Sequence, residues 1–146
     1  MASLIDELIN TLDEEYKIYR QLLPIAYEKT QIIVRNDLGA LQAVTEKEQS
    51  TVDRITALEH KREDIIDNIK IVINRKSDPL DLKTLIQLLE KQPKQQKALS
   101  ILHDNLKGTV QELVEVNNRN QSLIQQSLEM IEFNMNFIQS TRMSPG

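Results

Sequence analysis

Residues 94–140 read KQQKALSILHDNLKGTVQELVEVNNRNQSLIQQSLEMIEFNMNFIQS, and this stretch decides the fold of the chain. Its apolar side chains recur every three or four residues, which is the period of one face of an α-helix. A second apolar line runs beside the first at seven-residue spacing, through Val116, Leu123, Met130 and Phe137. The stretch therefore predicts one long C-terminal helix. The main stripe consists of Leu99, Leu102, Leu106, Val110, Leu113, Ile124, Leu128, Ile131, Met135 and Ile138.

Three breaks divide the rest of the chain into further helices. Asn36-Asp37 interrupts the first apolar stripe, residues 74–79 end in Asp78-Pro79, and Gln92-Pro93 is the third break. An aspartate followed by proline is a typical helix start. The predicted fold is all-α: one domain that forms an elongated antiparallel helical bundle of three long helices and one short helix. We expect the helices at about 3–35, 37–74, 79–91 and 94–140, followed by a disordered tail at 141–146.

Composition excludes several classes of protein. The chain has 146 residues and no cysteine, and its 18 basic and 22 acidic residues are interspersed. Because no basic face is clustered, we expect no nucleic-acid partner. The apolar runs are too short for a transmembrane helix, so we expect no stable membrane insertion, and the acidic start indicates no secretory signal. Without cysteine the chain has no thiol chemistry and no disulfide.

Catalytic and cofactor-binding motifs are mostly missing from the sequence. The two histidines, His60 and His103, lack the Glu three residues earlier that a carboxylate-bridged di-metal bundle uses. We expect no catalytic residue, no cofactor and no metal site. The stretch HDNLKG at 103–108 is similar to the phosphotransfer motif His-x-Leu-Lys-Gly, with one extra residue that rotates the imidazole by about 100°. A histidine phosphotransfer domain is therefore one alternative.

The sulfur and aromatic residues of the last helix allow two interpretations. Both phenylalanines and three of the four methionines lie between Met130 and Met143. In one interpretation this helix is central and both of its apolar lines are core. In the other, flexible Met and large Phe side chains form a docking surface for an apolar partner segment. A further alternative is a structural bundle that self-associates through this helix, so a homo-oligomer remains open.

Two stretches of the chain resemble the FlgN-type flagellar export chaperones. The first is EKTQIIVRNDL at 28–38 with Glu48 and LEHKR at 58–62. It is similar to the family's pattern of a Lys, an apolar pair, Asn-Asp, a later Glu and a Glu-x-x-Arg. The second is NNRNQSLIQQSLEMI at 117–131, which is similar to the family's closing Asn-x-x-Asn-x-x-Leu-Ile helix. Together with length and helix order, the resemblance covers nearly the whole chain.

The resemblance implies a cytoplasmic chaperone and not an enzyme. Such a chaperone binds the disordered C-terminal segments of hook-associated proteins, which form the hook–filament junction, and helps to deliver them to the flagellar type III export gate. The family places cargo binding on the C-terminal helix, and this agrees with the Met and Phe clustering and favours the docking interpretation. The positions that match are Leu123, Ile124, Ser127, Met130, Ile131, Phe133, Met135, Phe137 and Ile138.

Overall fold

The structure, a computed structural model, describes residues 1–76 and 78–143. These residues form four helices and no strand, so the predicted all-α fold is confirmed. Helix α4 includes residues 141–143, which the sequence analysis assigned to a tail, and the remaining tail residues 144–146 lie outside the described residues. The helices are α1 (Ala2–Val34), α2 (Leu38–Val72), α3 (Leu82–Gln87) and α4 (Pro93–Met143).

The turn between α1 and α2 is built by the Asn-Asp pair that the sequence identified as a break. Asn36 has a φ of 55°, in the left-handed region, which asparagine tolerates better than most residues. Its backbone N–H donates to the carbonyl of Ile33 over 3.1 Å. The carboxylate of Asp37 accepts a hydrogen bond from the backbone N–H of Ala40 over 3.0 Å and so caps the start of α2. These contacts reverse the chain within three residues and make α1 and α2 an antiparallel hairpin.

Replacing Asp37 with Ala removes this cap. We expect the free energy of unfolding to fall by about 1 kcal/mol, because an orphan N–H at the helix start loses its acceptor. Urea unfolding followed by circular dichroism measures the change. The matched control is Asp64→Ala, which removes an exposed carboxylate from the middle of α2. An equal loss in both variants would show that the cap contributes nothing of its own.

The short helix α3 differs from the prediction. The sequence placed it at 79–91 with Asp78 as its N-cap, whereas it begins at Leu82 and ends at Gln87. The N-cap is Asp81, whose carboxylate accepts from the backbone N–H of Thr84 over 2.7 Å. Asp78 and Asp81 are both suitable N-cap residues. Helix α3 begins after Asp81, because that carboxylate has a hydrogen-bond partner three residues later. Leu85 and Leu89 then lie fully buried in one apolar cluster with residues of α1, α2 and α4.

Helix α1 is the common partner of the two other long helices. It runs through Pro24 without ending. Gln95 at the start of α4 donates to Asp6 over 2.8 Å, and Asn120 donates to the carbonyl of Ala26 over 3.0 Å. Since both residue numbers increase together, α4 runs in the same direction as α1 and antiparallel to α2. Buried apolar clusters at the α3 end and in the middle join residues of α1, α2 and α4.

Helix α4 extends beyond the hairpin. It has 51 residues against 33 in α1, so it is about 77 Å long and α1 about 50 Å at 1.5 Å per residue. Because Asn120 contacts Ala26, only eight residues before the end of α1, most of the excess length lies past the hairpin turn. Every side chain from residue 128 to residue 140 is exposed. We call residues 128–143 of α4 the overhang.

Candidate partner-binding site

Polar side chains join α1 to its two neighbours at defined points. Glu48 and Arg62 of α2 both have their partners on α1. Lys29 donates to Glu48 over 3.0 Å, and Arg62 donates to both carboxylate oxygens of Glu15 over 3.0 and 3.3 Å. The pairs fix the register of α2 against α1, and they therefore fix where the hairpin turn lies beside α4.

The Glu15 carboxylate is fully buried, whereas the Arg62 side chain is 32% exposed. Burial raises the pKa of the Glu15 carboxyl from its ordinary value of 4.5 to about 7, and the nearby Arg62 guanidinium acts in the opposite direction. Glu59 also raises this pKa, and it accepts a hydrogen bond from the Tyr19 hydroxyl over 3.2 Å. This network lies inside the hairpin, about 27 Å along the helix from its turn at 1.5 Å per residue. It joins α1 to α2 and does not line the groove at the hairpin turn.

A groove opens where α4 passes the hairpin turn. Its volume is about 700 Å³, and it lies between the turn on one side and the beginning of the overhang on the other. The turn contributes exposed apolar side chains, of which Val34 is 61% and Leu38 is 78% exposed. Five of the predicted partner-binding residues line the groove from the α4 side: Leu123, Ile124, Ser127, Met130 and Ile131.

The other four predicted residues lie farther along the overhang, beyond the groove. They are exposed by between 50% and 65%, and they are Phe133, Met135, Phe137 and Ile138. The interpretation of both apolar lines of α4 as core is therefore wrong for residues 128–140. Leu113 and Val116, earlier on the same lines, are buried as that interpretation requires.

The apolar side chains of the overhang continue the buried face of α4. At about 100° per residue they cover an arc of about 220° around the helix axis. Leu113, Val116 and Asn120, which pack against the hairpin, fall inside the same arc. Between residues 128 and 140 the overhang thus presents, largely exposed, the surface that α4 uses to pack against α1 and α2. An arc of this width is typical of a helix that is covered by other helices.

Sequence reasoning missed the contribution of the hairpin turn. Ile32, Ile33, Val34, Leu38 and Leu41 line the groove opposite α4. Leu38 could have indicated this contribution. It follows the N-cap directly, and no contact within α2 requires an apolar side chain at that position. The packing of α4 against α1 determines which end of α4 extends past the turn. The sequence alone therefore does not predict that these residues lie near Leu123.

The residues of the alternative phosphotransfer site lie elsewhere. His103 is on α4, about 30 Å before the groove at 1.5 Å per residue, with its Nδ1 3.3 Å from a carboxylate oxygen of Asp104. Within residues 1–76 and 78–143, no three His, Cys, Asp or Glu side chains form a group that could hold a metal ion. None of the helices in the described part of the chain is long and apolar enough to cross a membrane.

Comparison with known proteins gives one family. The model of a family described as FlgN protein matches residues 1–146. No curated protein and no solved structure matches the chain significantly.

Proposed function

This chain belongs to the FlgN family, a family of flagellar export chaperones and not of enzymes, and from that membership we propose that it binds the disordered C-terminal segments of hook-associated proteins. The segment binds in the groove at the hairpin turn and along the overhang. The chaperone works in the cytoplasm, keeps its client from assembling early, and helps to deliver it to the flagellar export gate.

The observation that carries the proposal is the exposed apolar arc of the overhang. Seven large apolar side chains between residues 128 and 138 are at least half exposed: Leu128, Met130, Ile131, Phe133, Met135, Phe137 and Ile138. A contiguous apolar surface of this kind on a monomer typically marks an interaction site. Its narrow, elongated form suits a segment that becomes helical as it binds, because apolar positions three, four and seven residues apart then meet both apolar lines of α4.

The chemistry of the surface also suits a carrier. Between residues 128 and 138 the arc contains no charged side chain, since Glu129 and Glu132 lie on the opposite side of the helix, so the client is held mainly by apolar contacts. A disordered segment loses about 2–5 kcal/mol of the gross interaction energy in becoming ordered, which keeps the affinity moderate for a given contact area. Moderate affinity permits release at the export gate.

A direct titration tests the proposal. A fluorescein-labelled peptide with the C-terminal sequence of a hook-associated protein from the same genome is titrated with the full chain, and fluorescence anisotropy gives the Kd. We expect saturable binding in the micromolar range. A peptide of the same composition in scrambled order, which breaks the apolar periodicity, is the matched control and binds at least tenfold more weakly. Equal binding of the two peptides, or none by either, would contradict the proposed client.

A further inference from the structure

A line of small polar side chains runs along the middle of the apolar face of α4. Asn120, Ser127 and Asn134 follow one another at seven-residue spacing. Seven residues bring an α-helix back to the same side with a drift of about 20°, and each step rises by about 10.5 Å. In α4 the first member of this line packs against α1, whereas Ser127 and Asn134 line the groove at the hairpin turn.

Asn120 shows how this line binds a neighbouring helix. Its side chain is 3% exposed, and its Nδ2 donates to the carbonyl of Ala26 over 3.0 Å. The hydroxyl of Thr30, one turn later on α1, donates to Oδ1 of the same amide. The small side chain of Ala26, which is fully buried, leaves the carbonyl open to the amide. One asparagine thus binds a small residue and a threonine four positions apart on the partner helix.

Asn134 has the same setting on the overhang. It lies two steps along the line, about 21 Å beyond Asn120, with Ile131 and Ile138 on one side and Met130 and Phe137 on the other. Asn134 itself is exposed in the free chain. The arrangement of an amide between two apolar rows, which binds α1 inside the bundle, is therefore repeated on the exposed part of α4.

We propose that the client segment binds the overhang as a helix in the place that a longer α1 would occupy, and that Asn134 reads a small residue followed four positions later by Ser or Thr. This inference rests on the proposed function for the identity of the client, and it adds the chemistry by which the client is recognised. The two apolar rows supply the contact area. The buried amide fixes the register of the client helix, because a wrong register leaves the amide without partners in an apolar interface.

A second copy of the overhang does not supply this chemistry. Within residues 122–143 no Ala, Gly or Ser has a Ser or Thr of the same segment four positions later. In a homodimer through the overhang, the amide of Asn134 would face apolar side chains of the partner or the amide of another Asn134. The exposed face of the overhang, which continues the α1–α4 interface, therefore favours a separate helical segment. Like α1, this segment has a small residue followed four positions later by Ser or Thr.

A peptide that copies α1 tests the inference without any flagellar client. The probe carries residues 16–34 with Pro24→Ala, because proline disfavours an isolated helix, and a fluorescent label. A second probe also carries Thr30→Val, which keeps the shape and removes the hydroxyl. Both probes are titrated with the full chain, with its Asn134→Ala variant, and with Asn136→Ala as the matched control on the polar side of the overhang. Circular dichroism verifies that the variants keep their helix content.

We expect the wild-type chain and the Asn136→Ala variant to bind the threonine probe five- to tenfold more tightly than the valine probe. The Asn134→Ala variant should bind the two probes equally, since the hydroxyl then has no amide to contact. The proposal is overturned if Asn134→Ala keeps the preference for threonine, if neither probe binds, or if sedimentation shows that the overhang is covered by a second copy. Failure of the hook-associated peptide to bind would instead contradict the proposed function, because the α1 probe does not depend on it.

Discussion

Exchange of Phe133 and Phe137 for Asp should weaken client binding by at least about a hundredfold while the helix content of the chain stays unchanged. Each ring is 65% exposed in the free chain, so neither variant side chain disturbs a core. In the complex the two rings become anchors, and loss of one interface anchor typically costs about 2 kcal/mol or more, which is about thirtyfold in Kd. The introduced carboxylates add the cost of burying charge in an apolar contact.

The control for this double variant is Asn136→Asp combined with Gln139→Asp. It adds the same charge to the same part of α4, but on the polar side of the helix. Anisotropy titration of the labelled client peptide with each variant gives the two Kd values, and we expect the control to stay within a few-fold of the wild type. If the Phe variant unfolds, the rings are core; if both double variants lose affinity equally, charge and not the apolar arc explains the loss.

Replacement of Arg62 with Met should destabilise the chain strongly, and more at pH 8 than at pH 5. Methionine keeps the apolar stem that packs beside α1 but leaves the buried Glu15 carboxylate without its guanidinium. Breaking one partner of a buried ion pair costs about 3 kcal/mol or more when the other stays charged. At pH 5 Glu15 holds a proton in the folded chain, because its pKa is about 7, and the loss should then be much smaller.

The Glu15 carboxyl should also make the free energy of unfolding of the wild-type chain depend on pH. Since burial raises the pKa of Glu15 above the 4.5 of an ordinary carboxyl, the folded state binds the proton more tightly than the unfolded state. The stabilisation of the folded state by this proton is fully present below about pH 4.5 and is lost as pH rises through about 7. The free energy of unfolding then falls by at most about 1.4 kcal/mol per pH unit. Glu15→Gln, which resembles the protonated form, should flatten this part of the curve.

Urea unfolding at pH 5, 6, 7 and 8 measures both effects, and Arg54→Met is the matched control. Arg54 is an exposed arginine of the same helix whose guanidinium lies 3.4 Å from the Gln21 side chain. Its replacement should cost less than about 1 kcal/mol at every pH, because exposed polar contacts contribute little. An Arg62→Met variant with the same small, pH-independent loss would show that the Glu15 carboxylate is neither buried nor dependent on this partner.

The sequence predicts the long helices and one turn well because their signals are local. A three-to-four-residue apolar period and an Asn-Asp pair at 36–37 depend only on neighbouring residues, and both agree with the structure. The predicted start of α3 is wrong because Asp78 and Asp81 are both suitable N-cap residues, and only the contact with Thr84 distinguishes them. Local patterns therefore give the elements but not the choice between equivalent caps.

The exposure of the overhang could not be read from periodicity, since core and docking surfaces have the same apolar pattern. What separates Leu113 from Ile131 is the position of the hairpin turn along α4, and contacts such as Asn120 with Ala26 determine it. For the same reason the sequence alone does not identify Glu15 as the partner of Arg62. Residues that depend on the relative register of distant helices require the structure.

Hydrogen exchange on the full chain, alone and with a saturating hook-associated protein, tests the central claim most directly. Without tertiary contacts a helical end opens readily, so the amides of residues 124–140 should exchange fast in the free chaperone. With the client bound we expect these amides to exchange at least tenfold more slowly, while the middle of α2 stays unchanged. Protection of the outer faces of α1 and α2, with residues 124–140 exchanging as before, would place the client elsewhere and contradict the account.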